Sequence, residues 1–174
     1  REEYQLHTAN IEICTPSGSD PMSIIKYAKE RYVAAKNEGN PFERVYCVFD
    51  KDQHTNYDSA IKSLEYMQPK NIFFAITSVP CFEYWILLHF IYTTKPYIGT
   101  DKKSSADNVI SELKQYIPNY EKNVKIFNLI KNNLSFAISN ARRANEVAKK
   151  TSTDNPSTKI VDLVEYLINL LHQK

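Results

Sequence analysis

Alternation and helical periodicity divide the first half of the chain into short, regular pieces. Ile11-Glu12-Ile13-Cys14 alternates and predicts a brief strand that closes at Thr15-Pro16-Ser17-Gly18. Ser19-Asp20-Pro21 is a helix start, a capping side chain followed by proline at the first helical position. Ile25, Ala28, Tyr32 and Ala35 then recur at helical spacing, Gly39 suits a C-terminal cap, and Asn40-Pro41 blocks continuation. Val45 to Phe49 is an unbroken apolar run, the pattern of a strand buried on both faces, and it ends abruptly in Asp50-Lys51-Asp52. After a loop at His54-Thr55-Asn56, a helix from Tyr57 to Met67 carries Ile61, Leu64 and Met67 on one side. Pro69-Lys70-Asn71 turns the chain into a second buried strand, Ile72 to Thr77. Strands alternating with helices at this spacing imply an α/β fold, a parallel sheet with right-handed crossovers.

The second half changes character. Phe82-Glu83-Tyr84-Trp85-Ile86-Leu87-Leu88-His89-Phe90 is apolar all round, which predicts a fully buried helix. Polar residues 95–103 form a loop. A helix from Ser105 to Ile117 follows, then helical periodicity from Glu121 to Lys150 with a break at Asn132-Asn133. Residues 151–155 link to a last helix capped by Ser157 or Thr158. No further strand is expected. The division this suggests is an α/β core over residues 1–92 and a helical region over 93–174 packed on it.

The chemistry concentrates at Asp50 and Asp52. Residues two apart on a strand point the same way, so both carboxylates leave the strand end together. In open α/β sheets that end is where ligands sit. Converging carboxylates repel unless a cation or proton intervenes, and magnesium, which prefers oxygen ligands, suits such a pair. Asp-x-Asp after a strand is also ordinary turn chemistry. Glu83 lies where a helix dipole favours an anion; it is read either as a buried hydrogen-bonded group or as a third acid near the strand ends. His89, about 120° round the helix from Glu83, reads as a core histidine. Arg142, Arg143, Lys149 and Lys150 read as a solvated helix end, with phosphate contact as the alternative.

Composition narrows the class. With 43% hydrophobic and 24% charged residues and a net charge of +2, nothing marks a globally basic nucleic-acid binder, although a local basic groove fits a near-neutral body. Cys14, Cys47 and Cys81 lack metal-type spacing and read as buried free thiols in a reducing, cytoplasmic setting. The most apolar stretch, Phe82 to Tyr92, is too short to span a bilayer, so no membrane partner is expected. The sequence opens at Arg1 in mid-pattern, as a fragment would.

Several motifs together resemble the RloB family: Gly-Ser-Asp-Pro (18–21), Val-Phe-Asp-Lys-Asp-Gln-His (48–54), Pro-Cys-Phe-Glu-Tyr-Trp-Ile-Leu-Leu-His-Phe (80–90) and Asn-Pro-Ser-Thr (155–158). The resemblance implies a Toprim-like fold and a prokaryotic nuclease found near restriction and phage-defence loci. It implies that Asp50 and Asp52 bind magnesium or manganese beside a scissile phosphate. A glutamate closing the first strand would complete the set; it is expected upstream of Arg1, and Glu2 and Glu3 are not candidates for it. The family's usual Asn before Pro-Cys-Phe-Glu is here Val79.

The leading expectation is therefore a magnesium-dependent phosphodiesterase acting on DNA or RNA. Asp50 and Asp52 would be its metal ligands, Glu83 an orienting or additional acid, and His54 a phosphate contact or proton shuttle. A rival is a non-catalytic binding or regulatory subunit of a defence complex with a protein partner. Phosphotransfer with Asp50 as nucleophile is a third reading.

Overall fold

A computed structural model describes residues 11–14, 18–51, 54–122 and 124–172. Asp20 caps α1 (Pro21–Asn37): its carboxylate accepts from the Ser23 N–H at 2.9 Å, as Ser19-Asp20-Pro21 predicts. Gly39 follows the helix with φ +80, the left-handed turn that glycine adopts without strain. β1 (Val45–Asp50), α2 (Tyr57–Tyr66) and β2 (Phe73–Val79) come next. The Val45 N–H donates to the Ile72 carbonyl, and the Lys51 N–H donates to the Ser78 carbonyl. Both ends keep the same sequence offset, so β1 and β2 run parallel with α2 in their crossover.

The helices of the second half are α3 (Glu83–Leu87), α4 (Ser105–Leu113), α5 (Phe127–Ile130) and α6 (Leu134–Lys150). The break expected at Asn132-Asn133 is a 3₁₀ turn, Lys131–Asn133, between α5 and α6. After β3 (Ser157–Thr158), α7 (Ile160–His172) closes the described chain. Among the described residues the sheet has three strands in the order β1-β2-β3, with β3 antiparallel to β2 through Ser78 with Thr158 and Val79 with Ser157. The molecule is an α/β protein.

The structure corrects three expectations. Residues 11–14 form no strand: Ile13 is 82% exposed, and Glu12 is taken by Arg31 of α1 at 2.7 Å. Four alternating residues are too few to fix a strand without a sheet partner. Cys14 is exposed rather than buried, its thiol donating to Glu12 at 3.0 Å. Ser157 and Thr158, expected to cap a helix, instead form β3. That strand is two residues long and depends on distant partners, so no periodicity announces it.

The chain gathers into two compact units. One holds the described residues of Arg1–Val48, Asn56–Ile76 and Ile160–Lys174. In it α1 lies against α2, Tyr32 packs edge-on to Phe73, and Tyr46 stacks on Phe74. The Arg44 guanidinium sits over the Phe74 and Tyr166 rings at 5.2 and 4.5 Å. The other unit holds the described residues of Phe49–Thr55 and Thr77–Lys159. It is organised on α3, every residue of which is buried, and α3 packs on α4, α6 and β3.

Polar groups in this second unit are matched one by one. His89 is buried against Trp85, its Nδ1 3.0 Å from the Trp85 carbonyl, and burial holds its pKa below the ordinary histidine value. It is a core histidine. The Asn140 amide donates to the Leu88 carbonyl at 2.9 Å, closing the end of the α3 segment against α6. Two further asparagines imitate backbone. Asn155 accepts from the Tyr97 N–H and donates to the Tyr97 carbonyl, while Asn145 makes the same pair of bonds with Thr158.

Asn140→Ala leaves a buried carbonyl without its donor, and we expect a loss of about 1–3 kcal/mol in stability by urea denaturation. An unchanged urea midpoint would show that this bond contributes nothing.

Candidate active site

Asp50 is the last residue of β1, and β2 ends four residues before Glu83. Because β1 and β2 are parallel, both strands finish at the same edge of the sheet. The chain after β2 turns at once, through Pro80, Cys81 and Phe82, into α3. Tyr84 N–H donates to the Cys81 carbonyl and Trp85 N–H to the Phe82 carbonyl, so Glu83 is fixed in the first turn.

Glu83 is only 5% exposed, in a helix otherwise wholly apolar. A carboxylate there requires partners. The Tyr120 hydroxyl donates to its Oε1 at 3.2 Å, and Tyr120 is itself buried in the segment after α4. The Cys81 thiol also faces this carboxylate. Burial pushes the Cys81 pKa well up, and the charges of Glu83 and Asp50 push it further in the same direction. Tyr120 is raised for the same reasons, burial first and then Glu83, with Cys81 and Asp50 adding smaller contributions. Asp50, Cys81, Glu83 and Tyr120 thus form one electrostatic group, in which the thiol and the phenol are held protonated.

Asp52 lies outside the described residues. Around it, the Lys51 ammonium pairs with Asp154 at 2.6 Å, tying the end of β1 to the loop before β3. Both partners are partly exposed, so the pair contributes at most about 1 kcal/mol and yields readily to a competing anion. The His54 N–H donates to the Lys51 carbonyl at 3.1 Å, and His54 is half-buried. Among the described residues, then, Asp50 and Glu83 both act on Cys81 and Tyr120, and His54 follows Asp50 by four residues.

The donor set agrees in kind with a hard divalent cation. Asp50 and Glu83 offer carboxylate oxygens at the sheet edge where ligands bind, and magnesium commonly takes only one or two protein carboxylates. No group of three His, Cys, Asp or Glu able to hold a metal ion occurs among the described residues, which exclude Asp52.

Tyr120, Cys81 and Asp154 are site residues that the sequence pattern does not expose. Tyr120 is 37 positions from Glu83 and sits in an aperiodic stretch, so only the folded chain pairs them. Cys81 does lie inside the Pro-Cys-Phe-Glu motif, which was the available signal.

Fold and site together define an α/β protein with an acidic group at the carboxyl end of a parallel strand pair. The chain belongs to the RloB-like protein family, whose model matches residues 1–167. No curated protein and no solved structure matches it.

The thiols give two checks. Cys14 is exposed whereas Cys47 and Cys81 are buried, so Ellman's reagent should titrate one thiol in the native protein and three in urea. Burial also moves the Cys47 pKa from 9.0 to about 12. The folded state therefore holds this proton more tightly, and the stability it confers is complete below pH 9 and lost as pH rises towards 12. The urea midpoint should fall across that window, and fall less in Cys47→Ala; equal falls would refute the assignment.

Proposed function

We propose that the protein is a magnesium-dependent nuclease of the RloB type, with a Toprim-like site, acting in phage defence. The observation that carries this reading is that Asp50 ends β1 at the carboxyl edge of the parallel pair while Glu83, four residues past β2, acts with it on Cys81 and Tyr120. Asp50 and Asp52 would hold the ion, with manganese as a substitute. Magnesium bound there would offset charge developing on a phosphate and lower the pKa of a water nucleophile.

The chain's own residues divide the remaining work. Tyr120 and Cys81 donate to Glu83 and fix its orientation, so its free lone pairs are directed by the protein rather than by solvent. Glu83 then orients water or a ligand at the edge. His54, just past the pair, contacts phosphate or relays a proton. Lys51 can exchange the Asp154 carboxylate for a phosphate oxygen at little energetic cost.

Asp50→Ala and Asp52→Ala should each abolish manganese-dependent cleavage of nucleic acid while circular dichroism stays native. A protein that cleaves equally well with both changes does not work this way. A fold that binds nucleic acid or a partner but turns over nothing in either metal would mark a regulatory subunit instead.

A further inference from the structure

The net charge of +2 conceals a strong asymmetry within the chain. Residues 114–150 hold eight lysines and arginines and only two acids, Glu121 and Glu146, a net charge of +6, so the rest of the chain is net −4. All of this stretch belongs to the unit that contains Asp50 and Glu83. It is also unusually rich in exposed rings: Tyr116 is 39%, Phe127 43% and Phe136 48% exposed.

The rings and cations are organised rather than scattered. On α6, Phe136, Arg143 and Lys150 are exposed and seven residues apart, so they fall on nearly one line along the helix, about 10 Å between neighbours. The Arg143 guanidinium lies 4.0 Å over the Tyr92 ring, and Tyr116 stacks on Phe90 at 5.4 Å with an interplanar angle of 18°. Phe90 and Tyr92 are two residues apart in the segment after α3, and each carries one of these contacts. Within the same stretch, Tyr120 turns inward to Glu83. The stretch that carries the cations is therefore joined to Glu83 through Tyr120.

We infer that residues 114–150 form a track for single-stranded nucleic acid. Cations with interleaved aromatic faces match such a strand, because phosphates pair with the charges while unstacked bases lie on the rings. A duplex hides its base faces and would use the cations alone. Arg143, already held over the Tyr92 ring, presents its guanidinium with little ordering left to lose. This inference deepens the nuclease reading, and rests on it for the delivery of a strand to Asp50 and Glu83. Binding itself requires no catalysis.

The test is fluorescence anisotropy of the full chain in EDTA, with labelled oligo-dT and oligo-U twenty nucleotides long and a duplex of equal length, over a salt series. Single strands should bind about tenfold or more tighter than the duplex. Phe136→Ala should weaken single-strand binding roughly tenfold with the salt slope unchanged. Arg143→Ala and Lys150→Ala should each lower the slope by about 0.7, the value for one single-strand phosphate contact. Thermal melts check that all three variants fold. Equal duplex affinity, indifference to the three substitutions, or binding only to anionic vesicles would overturn the inference. A chain that binds single strands yet cleaves nothing with manganese overturns the nuclease reading and leaves the track standing. One that cleaves but shows no single-strand preference overturns the track alone.

Discussion

A carboxylate inside an apolar helix is the constraint around which the rest of the site is arranged. Glu83 is buried in α3 and needs hydrogen-bond partners, and Tyr84 of the same helix gives its hydroxyl to the Thr93 carbonyl instead. The hydroxyl of Tyr120 and the thiol of Cys81 meet that need, one from a distant segment and one from the turn before the helix. Meeting it fixes where the chain after α4 must run. The same requirement places the carboxylate at the edge where β1 delivers Asp50.

What could be read from the sequence was whatever depends on near neighbours. The start of α1 is legible because Asp20 caps within its own turn. The strands β1 and β2 are legible because unbroken apolar runs announce them, although Val48 is 45% exposed and one face of β1 is therefore not covered as that pattern suggests. The 3₁₀ turn at Lys131–Asn133 is legible because two asparagines interrupt a periodic pattern. Ile11 to Cys14 misled because alternation is a necessary sign of a strand but not a sufficient one. β3 was invisible for the opposite reason: two residues carry no pattern, and their conformation comes from Ser78 on one side and Asn145 on the other.

The site followed the same rule. Asp50 stood out because the apolar run ends on it, and Glu83 because it is a charge in an otherwise apolar segment. Tyr120, which donates to Glu83, and Asp154, which pairs with Lys51, did not stand out, since both gain meaning only through contacts made across the fold. The charge of residues 114–150 was present in the sequence but diluted by the average over the whole chain. Only its exposure and its rings gave it a direction.

The paired bonds of Asn145 to Thr158 have a consequence for association. β3 is the last strand of the sheet, and an open outer strand offers its amides and carbonyls to any extended peptide. At Thr158 both groups are already taken by one side chain of α6. The helix acts as a stopper on this margin, so neither another copy nor a foreign strand can extend the ladder there without first displacing the asparagine.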